Sequence, residues 1–250
     1  MVEQIGENPI ENQDAHALGW LAEEDEAARK SGKFGEDVNS RWIDPEHLSY
    51  PYGYERIAQL FDSPNAPDLV HNPLSYTFGR SPGQHGSLDV VQSRAPLVYS
   101  GPGVAKGQVF DAHSRQIDIA PTIARLLGWP LIDGKDITGR TSSERGVEAD
   151  VYFKRQDGLA LDVVDDGSGE QAERVYIILL DGVSNTELIN RLREEQGSIP
   201  HLRSLVENGS TFFYGSIANF PSITWPSHNA LGTSCYGGHH DVVNPTYYLR

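Results

Sequence analysis

A single cysteine, Cys235, stands in 250 residues. That excludes an internal disulfide and any cysteine-rich zinc module. No apolar run approaches the roughly 18 residues that a membrane helix needs. The opening residues, MVEQIGENPIENQDAHALGW, are polar and acidic rather than a charged-then-apolar leader. A cytoplasmic protein without a membrane partner is the expectation. Positive charge is also short, with 20 Lys and Arg against 35 Asp and Glu and a net charge of −15. Such a chain offers no electrostatic footprint for a nucleic-acid backbone. Lysine is scarcer than arginine, and neither an internal repeat nor a long low-complexity tract interrupts the chain.

What is present is ordinary for a soluble protein: 38% hydrophobic and 22% charged residues. The length suffices for one large α/β domain with a real core, or for a domain and part of another. Residues 1–48 are hydrophilic and read as a partly ordered lead-in, with EEDEAARK as a short helix. Helices are expected at 56–61, 117–127 (ending at Gly128), 186–195, 200–208 and 226–231. Strands are expected from 67–70, at 96–100, 174–180 and 211–217. Residues 134–140 are turn-rich. Residues 151–155 and 159–164 flank Gln156-Asp157-Gly158, a hairpin signal with Asp-Gly at its tip. Helix and strand alternate, which predicts a largely parallel sheet with helices on both faces.

Chemistry gathers near the end of the chain. The apolar run 175–180 reads as a strand buried on both faces that delivers Asp181 and Gly182 at its carboxyl end, where α/β proteins place their sites. Thr224 stands just ahead of Pro226, a residue suited to the first turn of a helix, so its hydroxyl falls at the helix's positive end. A carboxylate and a nucleophile are thereby offered together. Asp181-Gly182 alone could simply start a turn. Ser222 and Ser227 read as turn or cap hydroxyls, and the adjacency of Ser227 and His228 does not make a nucleophile and its base. His239 and His240 are read as facing apart, in surface or supporting roles. His71 and His113 are read as structural or exposed. Trp225 is left open between pocket wall and core.

These residues resemble the alkaline phosphatase superfamily, in its type I phosphodiesterase/nucleotide pyrophosphatase branch. The residues that carry the resemblance are LLDG, IPHLRSLVENG, TFFYGSIANF and FPSITWPSH, followed by Leu231, Gly232, Thr233, Tyr236, His240 and Asn244. The resemblance implies an α/β fold, the alkaline-phosphatase-like three-layer sandwich with a mostly parallel sheet. It implies Asp181 as a metal ligand, Thr224 as the metal-activated nucleophile and Asn244 as the amide on a phosphoryl oxygen. Threonine is a poor nucleophile at neutral pH, and a divalent cation makes its alkoxide accessible. An uncharged amide donor suits the negative charge that builds on non-bridging oxygens. The interval from Thr224 to Asn244 is about one residue shorter than the family's, and Asp241 stands where a Gly usually follows the histidine.

Residues 83–128, GQHGSLDVVQSRAPLVYSGPGVAKGQVFDAHSRQIDIAPTIARLLG, resemble the closing part of the same fold, with His85 as a further metal ligand. The closing segment therefore precedes the opening one. Residues 49–165 resemble the closing part and 166–250 the opening part, joined by the acidic, Gly-rich VVDDGSGEQAE. Circular permutation is favoured over a junction of tandem copies.

Family members also carry Asp-x-x-x-His and an adjacent Asp-His, and neither occurs here. Asp44 with His47, Asp68 with His71 and Asp111 with His113 have the wrong spacing. The chain is accordingly expected to be the amino-terminal portion of a longer enzyme. The Cys-x-Pro-x-Arg pattern of sulfatases is missing as well. The resemblance implies hydrolysis of phosphodiester, nucleotide pyrophosphate or phosphate ester bonds of a small substrate through a phosphothreonine intermediate, with two divalent metals: zinc, or magnesium or manganese. The alternatives are a phosphonate hydrolase or phosphomutase of the same superfamily, and an inactive fragment acting as a binding module.

Overall fold

The computed structural model describes residues 50–72, 85–111, 114–129, 155–165, 167–193 and 197–244. The expected lead-in over 1–48, the turns at 134–140 and the first arm of the hairpin, up to residue 154, lie outside the described residues, as does His113.

Helix α1, Gly53–Ala58, runs on into a 3-10 turn, Gln59–Asp62, close to the expected 56–61. A short helix α2, Val90–Ser93, is capped by Asp89, whose carboxylate accepts from the Gln92 amide at 3.1 Å. Strands β1 (Arg94–Ala95), β2 (Val98–Ser100), β3 (Gln108–Phe110) and β4 (Ser114–Arg115) follow. A 3-10 turn, Gln116–Asp118, then leads into α3, Ile119–Leu127. The latter stops at Gly128, whose φ of 67° is the left-handed cap that glycine adopts without a Cβ penalty. In the later part come α4 (Asn185–Arg193), α5 (Pro200–Glu207, with Pro at its start), β5 (Gly209–Phe212), β6 (Ser216–Ile217), α6 (Thr224–Thr233) and a final turn of helix, α7 (Gly237–His240).

Two small sheets are built jointly by early and late residues. In one, β5 lies between β2 and β3, antiparallel to β2 and parallel to β3. In the other, β6 lies between β1 and β4, antiparallel to β1 and parallel to β4. The α/β class holds, while the expected mostly parallel sheet is corrected to two mixed ones among the described residues. The core follows the same division. Leu60 and Leu88 pack with Phe220 and Val243, and Ile117 packs with Ala230 and Tyr236.

Three further expectations are corrected. Residues 175–180 form no strand and are exposed: Tyr176 is 82% and Ile178 77% accessible. The run has the composition of a doubly covered strand, but among the described residues no strand lies beside it. The strand expected over 211–217 is split into β5 and β6, because the chain turns between them at Gly215, with φ 70° and its amide donating to Phe212 O at 2.9 Å. The second arm of the hairpin also fails to form; only Val164 bridges, to Val104. The amides of the tip and of this arm have other acceptors: Asp157 N and Gly158 N donate to Ser234 O, Leu159 N to Asp118 Oδ1, and Leu161 N to Thr122 Oγ1. The 67–70 stretch is likewise not a strand, and the 96–100 strand is shortened to β2 and only partly buried.

Candidate active site

Asp181 sits at a tight turn. The Val183 amide donates back to Leu180 O at 3.3 Å, and Gly182 takes φ 81° at the third position, the conformation a type II turn demands of glycine. The turn that was the bland reading of Asp181-Gly182 therefore exists, and it aims the carboxylate. Asp181 Oδ2 accepts a hydrogen bond from the Thr224 hydroxyl at 3.2 Å, bridging 43 positions of chain.

Thr224 is the first residue of α6, two positions earlier than the expected start at Pro226. The residue before it, Ile223, is extended and offers no side-chain cap. The threonine hydroxyl is engaged with Asp181 rather than with the helix's own amides. Thr224 is partly exposed and Asp181 exposed, so solvent and solutes reach the pair. Trp225 is 62% accessible and belongs to the surface beside the pair, not to the core. Ser227 is buried, and its hydroxyl has no hydrogen-bond partner among the described residues.

His85 reaches this corner through the chain that follows it. Gly86 N donates to Ser222 Oγ at 3.0 Å, and Ser222 Oγ–H donates to Ser87 O at 2.8 Å. Gly86 has φ 110°, and a Cβ there would stand 3.4 Å from Ile223 Cγ2. Gly86 and Ser87 are thus seated on the two residues that precede Thr224. The His85 side chain is exposed and has no hydrogen bond among the described residues. Asn244 is described and exposed but is not hydrogen-bonded to Asp181 or Thr224.

The two adjacent histidines do diverge. His239 lies between carboxylates, Nδ1 toward Asp157 Oδ2 and Nε2 toward Asp62 Oδ2 at 2.8 Å. His240 Nδ1 accepts from the Val242 amide at 3.1 Å, and burial lowers its pKa below the usual imidazole value. Sequence reasoning missed the Asp62–His239–Asp157 tie. The Asp-Gly signal at 157–158 pointed to a turn there, but nothing in the spacing joined it to residue 239.

Asp181 and Thr224 present two oxygens at hydrogen-bond distance. A carboxylate and a hydroxyl oxygen are donors of a kind that a divalent cation accepts. Among the described residues no group of three or more His, Cys, Asp or Glu could hold a metal ion. His71 is exposed and, like Asp68, is outside any such group.

Residues 175–250 match the family model for type I phosphodiesterase / nucleotide pyrophosphatase, a family of the alkaline phosphatase superfamily. The match supports a phosphoester hydrolase. No curated protein and no solved structure matches the chain. Among the described residues no helix is long and apolar enough to cross a membrane.

Proposed function

We propose that this protein hydrolyses phosphodiester or nucleotide pyrophosphate bonds of small substrates, with Thr224 as nucleophile. The observation that carries this reading is the 3.2 Å hydrogen bond from the Thr224 hydroxyl to Asp181, inside the segment that matches the family. Asp181, Thr224 and His85 would hold a divalent cation, which supplies Lewis-acid stabilisation of the threonine alkoxide when bound.

Asp181 orients the hydroxyl. Thr224 Oγ1, its proton released to solvent, forms the bond to phosphorus while the leaving oxygen departs on the opposite side, giving a phosphothreonine ester. Water then breaks the new P–O bond, its oxygen going to phosphorus and a proton to Oγ1, so that the hydroxyl is restored. The charge that builds on the phosphoryl oxygens arises at the first residue of α6, where the helix's positive end lowers its energy. Asn244 is the amide assigned to a phosphoryl oxygen. In the wider reading the mixed sheets and their helices are parts of an alkaline-phosphatase-like three-layer sandwich in permuted order. The pairing of β5 and β6 with β1–β4 supports this, since each half completes the other's sheets.

The test is hydrolysis of bis-p-nitrophenyl phosphate against p-nitrophenyl phosphate and phosphonoacetate, with zinc or manganese added. Preferred turnover of the diester, abolished by Thr224→Ala, is the expected result. Preferred phosphonoacetate turnover favours the phosphonate hydrolase. Absence of any turnover that Thr224→Ala removes, together with fewer than two ions per chain, favours the binding module.

A further inference from the structure

We infer that Ser222 is a positioning residue that holds the backbone just after His85 in register with the nucleophile. The inference rests on the reading of Asp181, Thr224 and His85 as metal-binding. Ser222 is 93% buried by the complement of its 7% exposure, and its hydroxyl is used in both directions: it accepts from Gly86 N at 3.0 Å and donates to Ser87 O at 2.8 Å. Both bonds span more than half the chain, 136 and 135 positions. A backbone amide and a backbone carbonyl on either side of one peptide are thus fixed by a single side chain.

The geometry makes this tie specific. His85 immediately precedes the clamped amide, and Thr224 lies two positions after the clamping hydroxyl. Gly86 turns at φ 110°, a conformation open to glycine and rare for other residues, which lets the backbone lie flat against Ile223. Ser222 engages only backbone on the 85–87 side, and the His85 imidazole is exposed. Groups that orient ligands without touching the metal ordinarily set its affinity by about 10- to 100-fold. Ser222 fills that role through the main chain of Gly86 and Ser87 rather than through the imidazole's second nitrogen.

The experiment titrates the full chain with Zn²⁺ calorimetrically and follows hydrogen exchange at the Gly86 amide without metal. The proteins compared are the native chain, Ser222→Ala and His85→Ala. Expected are faster Gly86 exchange and a zinc dissociation constant raised about tenfold in Ser222→Ala. His85→Ala is expected to raise the constant further while leaving Gly86 protected. Unchanged affinity in Ser222→Ala, where His85→Ala does weaken zinc, overturns the positioning role alone. If His85→Ala leaves zinc affinity unchanged, the metal reading falls and the inference with it. Should Ser222→Ala not fold, Gly86→Ala disturbs the same seat from the other side. It is expected to weaken zinc in the same way, and native affinity in that variant overturns the proposal.

Discussion

The Tyr236 hydroxyl donates to Glu55 Oε1 at 2.7 Å, joining positions 181 apart. Arg115 Nη1 reaches the same carboxylate oxygen at 3.0 Å and Asp118 through Nη2 at 3.0 Å, so α1, the turn before α3 and the start of α7 meet in one polar knot. Burial, followed by the charge of Glu55, raises the Tyr236 pKa above its usual value. Tyr236→Phe keeps the ring and removes one hydrogen bond, while Glu55 retains Arg115. The expected loss is about 1 kcal/mol in urea denaturation. A variant as stable as the native protein would show that the bond contributes nothing net.

His240 gives a pH dependence with a definite sign. Burial depresses its folded pKa from 6.5, so the unfolded chain binds the proton more readily. Its contribution is present above pH 6.5 and is lost as pH falls through the lower folded value. His240→Gln should remove this component, so the stability advantage of the native protein over the variant shrinks on acidification below about pH 6.5. Parallel stability–pH curves for the two proteins would contradict it.

At Gly238 there is no room for a side chain. A Cβ would stand 1.6 Å from Gln59 O, and the Gly238 amide donates to Gln59 Oε1 at 2.7 Å. Gly238→Ala must push α7 away from the turn after α1 and is expected to destabilise by about 3 kcal/mol. Chemical denaturation measures it, with a midpoint near the native value as the refuting result.

Polar substitution in the exposed apolar run should be tolerated. Ile178 is 77% accessible, and Ile178→Lys is expected to change stability by no more than about 0.5 kcal/mol. A loss of several kcal/mol on thermal denaturation would mean that the side chain is covered.

Helix starts and stops were legible wherever a local signal sufficed. Pro200 opens α5 and Gly128 closes α3 because each has a backbone preference that acts without partners. Asp181 and Thr224 were legible as a pair because strand-like and helix-start patterns flank them, although the strand itself is absent. Residues 175–180 misled because an apolar run reports what a strand would bury, not whether neighbours exist to cover it. Asp157-Gly158 misled for a related reason: turn residues do fold back, but these amides found Ser234 O, a carbonyl at the end of α6. Ser222 and His239 were the least legible, since their partners are fixed by packing across the chain and not by spacing.

The alternation of β2, β5 and β3 bears on how the molecule comes apart. A protease nick in the acidic connection near Gly167 and Gly169 would sever the peptide without releasing either piece, because the later fragment's strand stays wedged between two from the earlier one. The clipped protein would elute as a single species and separate only in denaturant.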